Sequence, residues 1–292
     1  GWHDWYLATN IHSSKNLNKH LLPGLEPKGV PKVLVNSSIP VMYNNVKELK
    51  NIFKRKDRPN ILIVEGARFD FMSIKFINEI KKLQKTKKII LILDEITSGW
   101  RMNNGGVYKL YGLKPDIVIY GKSIGNGFPI AAILGKKKVM DCSQDTFMSS
   151  TFWTESSGFA ACLKTIDIFS KKQVSKHLVK MGNYITKHWM EITKKYNISI
   201  SVNDFKPLVT FKFLEIKDQD LALTIFTQEM LKEGYLASNS IYLSYSHNKQ
   251  NIDKYLKVFD KVIKKISKYN NQKKLNLILD YKKRSSGFKR LN

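Results

Sequence analysis

The sequence predicts an α/β fold, and three features carry that prediction. Uninterrupted apolar runs recur at Ile61 to Val64, Ile89 to Leu93 and Ile117 to Tyr120, the pattern of strands buried on both faces. Between the first two, Phe71, Ile74, Ile77, Ile80 and Leu83 form a stripe opposite a lysine-rich face, which reads as an amphipathic helix. The order strand–helix–strand predicts a right-handed parallel unit. Each run also ends on an ionisable residue: Glu65, Asp94 and, one glycine further on, Lys122.

Composition narrows the class. The chain has 292 residues, enough for one large domain with a smaller one attached. Its hydrophobic content of 42% is ordinary for a soluble protein. No apolar run approaches the ~18–20 residues of a membrane span, so no membrane partner is expected. The first residues, G-W-H-D-W-Y, have neither the basic lead nor the apolar core of a signal peptide. Two cysteines, Cys142 and Cys162, suit a reducing compartment, so a cytoplasmic location is expected, and neither has metal-ligand spacing. The net charge of +26 raises nucleic acid as a partner. The lysines are spread along the whole chain, however, and Lys, Asn and Ile are abundant together, as a biased genome would produce. Nucleic acid is set aside on that ground.

In open α/β sheets the ligand sits beyond the carboxyl ends of the strands, so Asp94 and Lys122 are expected to face one site. An aspartate at a strand end is by itself more often a helix cap or a loop residue. The G-K-S at Lys122 invites a P-loop reading, which fails because that motif needs a glycine where this chain has Asp116. A lysine and an acid together suit pyridoxal 5'-phosphate (PLP), which needs a lysine for its Schiff base and an acid to keep its pyridine nitrogen protonated.

The combination is more specific than its parts. D-E-I-T-S-G-W-R-M-N-N-G-G, followed by Y-G-L-K-P-D-I-V-I-Y-G-K-S-I-G-N-G-F-P-I-A-A-I-L-G, resembles the class III PLP-dependent aminotransferases. It is most similar to their glutamate-1-semialdehyde 2,1-aminomutase-like branch. The resemblance implies that Asp94 pairs with the pyridine nitrogen and that Lys122, 28 residues on, carries the cofactor. It also implies PLP-dependent transferase fold type I, the aspartate-aminotransferase type: a parallel-rich large-domain sheet followed by a small α+β domain. F-M-S-S-T-F-W-T-E resembles the family segment whose threonine reaches across a homodimer to the neighbour's cofactor phosphate. The matching residue is Thr151. A hydroxyl and backbone N–H at a helix start suit phosphate on physical grounds too. Trp153, Thr154 and Glu155 depart from the Gly-Gly-Asn of many relatives, which puts the substrate in doubt.

The remaining elements follow in order. G-W-H-D-W-Y resembles the family stretch after a Tyr-His pair, and the sequence starts at that glycine. The chain is therefore expected to be N-terminally truncated relative to the family and impaired as a catalyst. His3 and Asp4, being adjacent, point apart and read as structural. Residues 11–30, with Pro23, Gly24, Pro27 and Gly29, read as irregular, and Pro31 to Asn36 as a short strand. Val46 to Lys54 resembles the family's helix before I-L-I-V-E-G. Glu65 either borders the active site or is a buried structural carboxylate, and Gly66 stands where the family often has proline. Arg101 either clamps a substrate carboxylate or forms an internal salt bridge.

Tyr108 to Tyr111 reads as a short helix and Ile130 to Leu134 as a strand. Ser156 to Phe169 and Val174 to Tyr196 read as helices. Ile198 to Val202, Leu208 to Leu214 and Ile241 to Tyr245 are strand-like, with a helix from Leu221 to Lys232 stopped by Gly234. Ile252, Tyr255, Leu256, Phe259, Val262, Ile263 and Ile266 form one face of a last helix. The expected division is a PLP-binding large domain over 1–180, a small α+β domain over 181–269 and a basic, poorly ordered tail over 270–292 containing Ser285-Ser286-Gly287. The expected chemistry is amino-group transfer between a small-molecule amino donor and a carbonyl acceptor. The alternatives are an aminomutase that returns the amine to the same substrate, or an impaired PLP-fold fragment acting as a scaffold.

Overall fold

The computed structural model describes residues 4–13, 15–18, 20, 24–151 and 153–284. His3, Pro23 and Ser285-Ser286-Gly287, singled out above, lie outside the described residues. The chain divides into two compact units, one of Gly1–Asn60, Ser73–Lys88 and Arg284–Asn292, the other of Ile61–Met72 and Ile89–Lys283.

The first unit is helical. It holds α1 (Asp4–Ala8), α2 (Val46–Lys54) and α3 (Ile74–Lys87). Asn45 caps α2 by accepting from Glu48 N–H, and Ser73 caps α3 by accepting from Phe76 N–H. The cap at Ser73 corrects the expected stripe: Phe71 precedes the helix, and Ile74, in its first turn, is exposed. The buried face is instead Phe76, Ile77, Ile80 and Leu83, and α3 packs with Leu49 and Phe53 of α2. The strand expected over Pro31 to Asn36 is a 3₁₀ turn, Lys32–Leu34. A β-branched stretch becomes a strand only when another strand takes its backbone hydrogen bonds. Here Leu34 N–H and Val35 N–H turn back to Pro31 and Lys32, and Val33 is exposed.

The second unit carries both sheets. Its first comprises β1 (Ile61–Glu65), β2 (Ile90–Asp94), β3 (Ile117–Tyr120) and β4 (Ala132–Gly135), in that order. β1, β2 and β3 are parallel, as the uninterrupted apolar runs predicted, and β4 returns antiparallel on β3. The helices α4 (Tyr108–Tyr111), α5 (Lys137–Met140) and α6 (Ser156–Lys171) belong to this part. Gly112 ends α4 at φ 60°, a left-handed cap that glycine adopts without a Cβ clash.

Beyond α7 (Val174–Lys195) come β5 (Ile200–Val202), β6 (Leu208–Phe213), α8 (Gln219–Lys232), β7 (Ser240–Tyr242) and α9 (Lys249–Asn271). The three strands form an antiparallel sheet in the order β5-β6-β7. Phe211 of β6 meets Trp189 of α7 edge-on at 5.0 Å and Phe226 of α8 at 5.3 Å. Each such pair adds about 0.5–1.5 kcal/mol beyond its area burial.

The expectation of a poorly ordered tail from residue 270 is corrected as far as 283. Leu275 is buried in the same core, Asp280 N–H donates to Gln228 Oε1 at 2.8 Å, and Lys283 pairs with Asp218 at 2.9 Å. Leu275, with Ile278 and Leu279 packed partly buried on the same core, outweighs the surrounding lysines, which keep their charges in water while the backbone is held.

Candidate active site

Because β1, β2 and β3 are parallel, their carboxyl ends share one edge of the sheet. The register sets Glu65 opposite Asp94 and Asp94 opposite Ile119, and Lys122 follows β3 by two residues. The structure thus brings Glu65, Asp94 and Lys122 into one cluster. Asp94 Oδ1 accepts from Ile96 N–H at 2.9 Å, which fixes the carboxylate against its own loop. No described residue donates to its Oδ2.

Lys122 opens a 3₁₀ turn, Lys122–Ile124, with a left-handed φ of 47°. A side chain there costs about 1–2 kcal/mol. That strain is held by Gly125 and Asn126, whose N–H groups both reach the Lys122 carbonyl at 3.1 Å. Its Nζ donates to Thr97 Oγ1 at 2.9 Å. Burial, then the charge of Arg68, pull the Lys122 pKa below the usual lysine range, against the opposing pull of Glu65 and Asp94. Burial likewise raises the Glu65 pKa, opposed by the Arg68 guanidinium at 3.3 Å. Glu65 therefore borders the cluster and is ion-paired as well. Arg68 Nε is buried with no acceptor among the described residues.

Of the two roles the sequence suggested for Arg101, the structure bears only on the internal salt bridge. Among the described residues it forms no salt bridge. Its Nε donates to the Thr97 carbonyl at 2.8 Å, and its guanidinium lies 5.4 Å from the Tyr242 ring centroid. Thr151 is exposed in the turn before α6, on a different segment from the three strand ends.

Two residues of the site had no role in the sequence reading. Glu95, fully buried, accepts from Ser98 Oγ and from Tyr108 N–H (2.9 Å), tying down the loop between β2 and α4. Burial raises its pKa. Gly66 makes room for it, since a Cβ there would lie 2.6 Å from Glu95 Oε1. Gly66 N–H also donates to the Asp94 carbonyl at 2.9 Å, a bond that proline could not make. Thr97 is the second. The signal available was its place three residues after Asp94 in D-E-I-T, on the loop that the strand end projects.

A family model described as aminotransferase class-III matches residues 23–263. The chain belongs to that family. It is 28% identical over 222 residues to the 3-aminobutyryl-CoA aminotransferase of Cloacimonas acidaminovorans, covering 73% of this chain and 50% of that one. It is 30% identical over 268 residues to the glutamate-1-semialdehyde 2,1-aminomutase of Campylobacter hominis, covering 85% and 59%. Among solved structures, the FumI protein of Sphingopyxis sp. MTA144, in its PLP internal aldimine form, superposes with a TM-score of 0.78 at 19% identity, covering 86% of this chain and 62% of that one. The class-III aminotransferase chain therefore has the fold of PLP-dependent fold type I transferases. It spans about half to three-fifths of the length of the relatives it matches.

Proposed function

We propose that this class-III aminotransferase chain serves PLP-dependent amino-group transfer between a small-molecule amino donor and a carbonyl acceptor. The observation that carries the reading is the convergence of Lys122 and Asp94 on adjacent parallel strand ends. Their chemistry fits the cofactor. Lys122 Nζ is held by a neutral hydroxyl rather than by a carboxylate, and its lowered pKa leaves more of it as free amine at neutral pH than an exposed lysine offers. Asp94 keeps one oxygen on its own loop, and no described residue donates to the other, which suits a ring nitrogen.

When bound, PLP supplies a carbonyl carbon that links to amines and a ring that disperses an electron pair. Lys122 Nζ is the covalent anchor. With PLP bound, Lys122 Nζ as a free amine would be placed to accept a proton from the substrate's amine-bearing carbon and, as the ammonium, to return that proton to the cofactor's carbonyl-derived carbon. Asp94 holds a proton on the pyridine nitrogen by its negative charge. Thr151 binds cofactor phosphate from the second subunit of a homodimer. Its exposure suits that role, as do the neighbouring exposed side chains of Phe147, Met148 and Trp153. A cytoplasmic location belongs to the same reading and rests on the two free cysteines.

The second reading is intramolecular transfer, an aminomutase. Several of the relatives bear the name glutamate-1-semialdehyde 2,1-aminomutase, which favours it. Incubation with PLP, borohydride reduction and peptide mapping test the site, and the pyridoxyl label is expected on Lys122. A label confined to other lysines would remove the assignment. Product analysis with isotopically labelled amine separates transfer between molecules from transfer within one.

A further inference from the structure

The loop that follows Asp94 does more than carry the aspartate. Thr97 is 4% exposed, and it is held at two points. Its carbonyl accepts from Arg101 Nε at 2.8 Å, and Arg101 in turn lies over Tyr242 at the end of β7. Its hydroxyl accepts from Lys122 Nζ at 2.9 Å. A second tie runs beside the first, because Ser123 Oγ donates to the Gly99 carbonyl of the same loop. The Lys122 turn and the Asp94 loop are thus joined side chain to side chain and side chain to backbone.

We propose that Thr97 is the positioning residue for Lys122, its hydroxyl holding the lysine nitrogen beside the Asp94 loop whether that nitrogen is an ammonium or a free amine. This rests on the reading of Lys122 as the PLP-bearing lysine. The chemistry of the partner is the reason. A carboxylate at the Thr97 position would favour the ammonium, oppose its deprotonation and have no proton to donate to the lone pair of the free amine. A hydroxyl accepts from an N–H of either form and can also donate to the lone pair of the neutral amine. A proton-carrying lysine changes form during each turnover, so a partner that serves both forms keeps the nitrogen in place throughout. The β-branched Thr97 side chain is stiff at χ1, and Arg101 fixes its backbone, so the oxygen is presented at a defined place.

The test uses the full chain and two variants, Thr97→Val, which removes the hydroxyl at equal size, and Thr97→Ser, which keeps it. Without PLP, the reactivity of Lys122 toward trace acetic anhydride is measured from roughly pH 6 to 11 against the exposed Lys47, with peptide mapping. Thr97→Val is expected to lower the titration midpoint of Lys122, because the hydroxyl holds both forms but its bond from the ammonium, being charge-assisted, is the stronger of the two. With PLP, it is expected to slow pyridoxyl labelling of Lys122 about tenfold, since a misplaced nucleophile loses rate steeply with distance. Thr97→Ser is expected to restore both to within about twofold of the unaltered chain. A Thr97→Val chain that titrates and labels like the unaltered one overturns the proposal. So does a folded Thr97→Ser chain that behaves like Thr97→Val, since size alone would then be at work. If the unaltered chain takes its label elsewhere than Lys122, the PLP reading falls, and whether Thr97 holds the Lys122 nitrogen is then decided by acetylation alone. The acetylation arm, independent of PLP, would still report whether the hydrogen bond acts.

Discussion

Glu65 and Asp94 stand opposite each other at the ends of β1 and β2, two carboxylates on neighbouring parallel strands. They are not equivalent. Glu65 is paired with Arg68, while Asp94 is oriented by the N–H of Ile96. The register leaves one acid engaged by a cation and the other aimed by its own loop. That asymmetry supports the proposal that Asp94, and not Glu65, is the carboxylate for a pyridine nitrogen.

Asp94→Asn tests this division. The amide oxygen can still accept from Ile96 N–H, so the loop and PLP binding are expected to survive. Turnover is expected to fall on the order of 100-fold or more, the scale of removing one electrostatic stabiliser from an active site. Steady-state rates alongside PLP absorbance would measure both, and near-normal turnover would give Asp94 another job.

Glu95 gives a pH dependence with a definite sign. Burial raises its pKa above the ordinary 4.5, so in the window above that value the folded chain binds the proton more tightly than the unfolded one. Its contribution is full below 4.5 and is lost as pH rises through the raised value. Glu95→Gln is expected to flatten that part of the stability curve. It is also expected to cost about 1 kcal/mol or less, because the amide oxygen can keep Tyr108 N–H while Ser98 Oγ turns to accept from the amide N–H. Urea midpoints at a series of pH values check both.

Gly66→Ala places a Cβ 2.6 Å from Glu95 Oε1, with the surrounding loop tied down. A loss of about 1–3 kcal/mol is expected, the range for overpacking a filled site. Paired with Glu95→Ala, which vacates the space, the alanine at 66 is expected to cost much less. Additive losses in a denaturation double-mutant cycle would show that the two positions do not compete for space.

Thr151→Val removes one charge-assisted hydrogen bond to phosphate under the dimer reading. PLP affinity is expected to drop roughly 10- to 100-fold, the equivalent of about 1.5–3 kcal/mol, with no change in melting temperature. Sedimentation of the unaltered chain is expected to show a dimer. A monomer that binds PLP as tightly as the dimer would remove Thr151 from the site.

The clustering of Glu65, Asp94 and Lys122 at the strand ends was legible before folding, and the reason is local. An apolar, β-branched run favours a strand by its composition, and once such a run pairs in parallel its last residue lies at the carboxyl edge of the sheet. Asp94, Lys122 and the border position of Glu65 followed from that. Where the outcome depended on a partner far along the chain, the sequence was silent or misleading. Pro31 to Asn36 has strand-like residues but pairs with no strand among the described residues, and the basic stretch after residue 270 hides Leu275, Ile278 and Leu279, which anchor it.

The sequence by itself determined the family, the parallel order of the central strands and the chemical identity of the lysine and the aspartate, because motif and periodicity are written in adjacent residues. Only the tertiary structure decided what those groups touch. Thr97 and Lys122 are 25 positions apart and meet through hydrogen-bonded neighbouring strands. Arg101 reaches Tyr242 across 141 positions, and Gly66 yields to the buried Glu95. Hydrogen bonds and close packing act over a few ångströms in space, and only the fold sets which residues come that near.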